Sequence, residues 1–62
     1  MMNFENKVQE MINLLNEAKV DAGKFDKNGN KAAGTRLRKA MQDIKGMAQD
    51  IRVAVSEAKN AE

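Results

Sequence analysis

Lys31, Arg38, Lys45, Arg52 and Lys59 stand seven residues apart in a chain of 62 residues, and every rung of that ladder is Lys or Arg. On a straight helix a seven-residue row drifts by only about 20° per step, and supercoiling removes the drift. Such a row lines up five fixed positive charges over about 42 Å. The chemistry available to it is recognition of a polyanion such as a phosphate backbone. A merely solvated helix flank also collects Lys and Arg, but it interleaves both signs at i, i+4 for local pairing. Here Asp43, Asp50 and Glu57 form a second seven-residue row on the opposite flank, with Gln42, Gln49 and Ser56 between. The signs are sorted by side.

Other chemistries find little support. The chain has no Cys and no His, so disulfides, the usual zinc ligands and thiol or imidazole catalysis are excluded. "GNKAAGTR" from Gly29 imitates a P-loop and then fails, because Thr35 and Arg36 stand where Lys and Ser/Thr are needed. "DKNGN" from Asp26 imitates an EF-hand loop, but its glycine is fourth rather than sixth and Leu37 occupies the twelfth place. The carboxylates and lysines that remain form no evident cleft, so no enzymatic activity, metal or cofactor is expected. Phe4 and Phe25, the only aromatics, fall at core positions and offer no base-stacking platform.

The elements that must carry the row are helical. Proline is absent, and Ala, Glu, Lys, Met, Leu and Gln dominate. Phe4, Val8, Met11, Leu15, Ala18, Ala22 and Phe25 alternate spacings of four and three, and so do Ala33, Leu37, Ala40, Ile44, Met47, Ile51, Ala54 and Ala58. Both are a/d heptad patterns. Between them Asn28 or Gly29 can end a helix and Asn30 can cap the next, with Thr35 a competing start. The expected fold class is therefore all-α, one antiparallel two-helix hairpin with a heptad seam: helix about 2–26, turn about 27–30, helix about 31–60. In this register the basic row falls at position b.

Met41, Ala48 and Val55 at the e positions, with Ile12 and Leu14 beside the first seam, make an apolar face wider than two helices can cover. A chain this short buries only about 60% of its unfolded surface. The expectation is a homodimer, two hairpins forming a four-helix bundle. Met11, Met41 and Met47 are expected as gap-filling core.

Residues 24–45 hold seven basic residues against two acids. Arg36 and Lys39 reinforce the start of the second helix, where the helix dipole also favours an anion. Gly29, Ala32, Ala33 and Gly34 are small enough to let a phosphate approach the backbone there. No apolar run reaches the ~20 residues of a membrane span, and no signal-peptide block opens the chain. A cytoplasmic protein is expected.

"KNGNKAAGTRLRKAMQDIKGMAQDIR", Lys27 to Arg52, resembles the bacterial and viral histone H1-like proteins of the chlamydial type. The shared features are the turn "GNKAA", the basic "TRLRKA" and the helical "IKGMAQDIR"; the first half matches only as an amphipathic helix. The resemblance implies a nucleoid-associated structural protein that binds and compacts double-stranded DNA without sequence preference. It implies phosphate contacts for Lys27, Lys31, Arg36, Arg38, Lys39, Lys45 and Arg52. The chlamydial type continues into a Lys/Ala-rich tail, whereas this sequence closes on "AKNAE", so the expectation is a dimerising core with modest DNA affinity. The alternative is a small helical dimerisation module whose basic face docks an acidic protein. No membrane and no small-molecule substrate is expected.

Overall fold

The structure is a computed structural model and describes residues 3–61; Met2, where the expected first helix begins, lies outside them. The described residues form two helices and no strand, α1 (Phe4–Asn28) and α2 (Lys31–Asn60). Asn3 caps α1, its side chain accepting from the Asn6 N–H at 3.0 Å. Gly29 closes α1 in the left-handed region at φ 62°, ψ 27°, and its N–H donates to the Phe25 carbonyl. A side chain at that φ is strained, which is why glycine stands there. Asn30 caps α2 by accepting from the Ala33 N–H at 3.1 Å. Thr35 lies inside α2, its hydroxyl donating to the Lys31 carbonyl at 3.1 Å.

With so short a turn the helices run antiparallel and pack along one seam. The molecule is a rod of 51 × 16 × 13 Å with a radius of gyration of 14.8 Å, against about 10.6 Å for a compact domain of this length. Among the described residues only Ala18 and Ala33 are buried. Small residues concentrate near the turn. The Phe25 ring lies across Gly34, where an added Cβ would meet it at 2.7 Å.

The seam of α2 follows the a/d positions from Ala33 to Ala54; Ala58, near the end of α2, is exposed. The seam of α1 departs from its heptad. Val8 and Leu15 are each 46% exposed, whereas Lys7, Met11, Leu14 and Asp21 are half-buried. α1 is thus rolled towards Leu14, since a single partner helix covers one narrow stripe and the bulkier stripe is left outside. Phe25 and Met41 are likewise partly exposed rather than core.

The glycines give a direct test of this packing. A Cβ added at Gly46 would meet nothing within 4 Å, so Gly46→Ala is expected to add close to 1 kcal/mol through helix propensity. That corresponds to a rise of about 4–8 °C in Tm. Gly34→Ala has the same propensity gain but must displace the Phe25 ring, and is expected to fall clearly below Gly46→Ala. Thermal unfolding by circular dichroism at matched concentration checks this; equal gains would mean that the ring does not pack on Gly34.

Candidate nucleic-acid interface

The hairpin has two unlike faces. On one, Leu14, Ala18 and Asp21 meet Arg36, Ala40 and Asp43 around a surface depression, and Lys7 and Glu10 meet Met47 and Asp50 around a second. All three ion pairs found among the described residues lie on this face. Arg36 donates through both Nε and Nη2 to Asp21 Oδ1, at 3.1 and 3.0 Å, tying α2 to α1. Lys39 pairs with Asp43 at 3.4 Å and Lys7 with Glu10 at 3.6 Å. Exposed pairs of this kind contribute about 0–1 kcal/mol each; their consequence here is that Arg36 and Lys39 have carboxylate partners.

The opposite face carries several of the apolar residues that the seam leaves out. Val8, Ile12 and Leu15 of α1 are 43–46% exposed, and Met41 and Val55 of α2 are 42% and 39% exposed. Along the outer edge of α2 beside that face run Lys31, Arg38, Lys45, Arg52 and Lys59, all exposed. Among the described residues none of the five has a carboxylate within 4 Å; the one side-chain hydrogen bond in the row runs from Arg52 Nη1 to Gln49 Oε1 at 3.4 Å. Lys45 and Arg52 flank a shallow depression floored by Gly46 and Ala48.

The seven residues singled out from the sequence are therefore distributed over three surfaces. Lys31, Arg38, Lys45 and Arg52 share the outer edge of α2, with Lys59 as a fifth member. Arg36 and Lys39 are on the ion-paired face. Lys27, in the last turn of α1, lines a separate depression with Lys19, Val20, Gly23 and Lys24 on the outside of α1. Lys19 did not stand out in the sequence, and Lys24 only as the start of the basic stretch 24–45, although their spacing to Lys27, eight residues in all, places the three around one side of a helix.

Of the small residues around the start of α2, Gly29 and Ala32 are exposed, whereas the other two are covered. Ala33 is fully buried and Gly34 lies beneath Phe25. At these two positions small size answers to packing against α1.

A family model described as histone H1-like protein Hc1 matches residues 5–61. The chain belongs to that family. The Hc1 match runs through α1 as well as the turn and α2, further than the likeness in Lys27–Arg52. No curated protein and no solved structure matches the chain. None of the described helices of this Hc1-family chain is long and apolar enough to cross a membrane.

Proposed function

We propose that this Hc1-family chain is a nucleoid-associated structural protein that binds double-stranded DNA through its phosphates along the outer edge of α2. One observation carries the reading: on a hairpin whose other face pairs its charges, the row Lys31, Arg38, Lys45, Arg52 and Lys59 has no carboxylate partner among the described residues. The family's description as histone H1-like points the same way. Recognition by a line of charges at about 10.5 Å intervals follows the backbone and has no means of preferring a base sequence. Lys27, on the outside of α1, lies off this edge and does not contact the duplex held there. Arg36 and Lys39 join only where DNA competes for them against Asp21 and Asp43.

The working form is a homodimer closed through the apolar face as a four-helix bundle. The accessible surface is 5117 Å², about 1,100 Å² more than the ~4,000 Å² typical of a compact monomer of this mass. A standard dimer covers about 800 Å² per partner, so the surplus suffices for one interface.

Titrating a duplex at several salt concentrations tests the DNA reading. Five phosphate contacts give a slope of log affinity against log salt near −4.5 per hairpin, equal for unrelated duplexes of one length. Affinity that stays flat between 50 and 200 mM salt would overturn it.

A further inference from the structure

From the lysines on the outside of α1 we infer a second phosphate-binding edge, through which one hairpin holds a second duplex; this rests on the reading of α2 as a DNA-binding edge. Lys19, Lys24 and Lys27 line one shallow depression with Asn16, Val20 and Gly23. All three lysines are exposed, and none has a carboxylate within 4 Å among the described residues. A Cβ at Gly23 would meet nothing within 4 Å, so the floor between the lysines is open to an approaching phosphate. Asp26 is the acid nearest in sequence, and it leaves the patch with net positive charge.

The placement is what gives this patch a separate role. At 100° per residue, Gly23 and Lys27 point 140–180° away from the buried Ala18, with Lys19 and Lys24 on either side. Arg38 and Lys45 point 140–160° away from Ala40 in the seam of α2. The two cationic sets therefore look outward from opposite edges of the hairpin. Two packed helices separate those edges by about 20 Å, so phosphates bound at one leave the other accessible. The α1 edge offers three contacts against five, so its slope against salt is shallower, near −2.7, and it fills after the α2 edge. The rest of the outer side of α1 holds no further basic residue, with Gln9 hydrogen-bonded to Asn13 at 3.0 Å and the exposed Glu5 near its start, which confines the second contact to the turn end.

A bridging assay tests the inference, with bead-bound duplex, the full chain, and capture of a free labelled duplex. Neutralising the patch by Lys19→Gln, Lys24→Gln and Lys27→Gln in one chain is expected to reduce capture at least about tenfold at 0.1 M salt. Simple retardation of a single duplex should stay within about twofold of the parent. Unchanged capture by the triple variant overturns the inference and assigns bridging to the two α2 rows of a dimer. A parent that retards duplex but captures none also overturns it, and leaves the α2 reading standing. A parent that does not retard duplex removes both.

Discussion

Reversing two rungs of the α2 row, with Arg38→Glu and Lys45→Glu in one chain, is expected to weaken duplex binding on the order of 60-fold or more at 0.1 M salt. The estimate follows from counterion release. Each phosphate contact contributes about 0.9 to the salt exponent, so losing two contacts removes about 1.8 decades of affinity at that concentration relative to 1 M. The slope should fall from near −4.5 to near −2.7, and this change separates lost phosphate contacts from a general loss of fold. Both side chains are exposed and neither is in an ion pair among the described residues, so the helical circular dichroism should be unchanged. Lys39→Gln is the matched control. Lys39 sits on the other face against Asp43, and its neutralisation is expected to alter affinity less than twofold. If the control falls as far as the double reversal, the interface is not the outer edge of α2.

Leu15→Asp is expected to turn the proposed dimer into monomers. Leu15 lies in the exposed stripe between Val8 and Ile12 on one side and Ala22 on the other, and is 46% exposed in the hairpin. A symmetric interface contains it twice. Each copy forfeits part of the 1.5–3 kcal/mol of a buried leucine, and each must bury or rehydrate a carboxylate. Together these amount to at least about 4 kcal/mol, or on the order of a thousandfold in dissociation constant. Sedimentation at micromolar concentration reads the outcome directly, with the parent expected as a dimer and the variant as a monomer. A parent that sediments as a folded monomer would remove the four-helix bundle from the proposal.

These two experiments probe surfaces that differed in how far the sequence revealed them. The α2 row was legible because a seven-residue repeat survives any rotation of the helix: whichever stripe α2 buries, Lys31, Arg38, Lys45, Arg52 and Lys59 stay together. The caps were legible because Asn30 and Gly29 act on backbone within a few residues, with no distant partner needed. The apolar pattern of α1 was ambiguous. Val8 and Leu15 or Lys7 and Leu14 could line the seam with equal helical regularity, and one roll of about 50° exchanges them.

By itself, then, the sequence determined two helices, their turn and which charges travel together, since each depends on local backbone preference and helical period. Only the tertiary structure decided which stripe of α1 is buried, because that depends on how the small residues around Ala18, Ala33 and Gly34 let the backbones approach under the Phe25 ring. The same packing brings Arg36 within 3.0 Å of Asp21, fifteen residues away, and so removes from the free charges an arginine expected alongside Arg38 as a phosphate contact. It also turns Lys19, Lys24 and Lys27 outward, away from α2, by fixing the side of α1 that faces in.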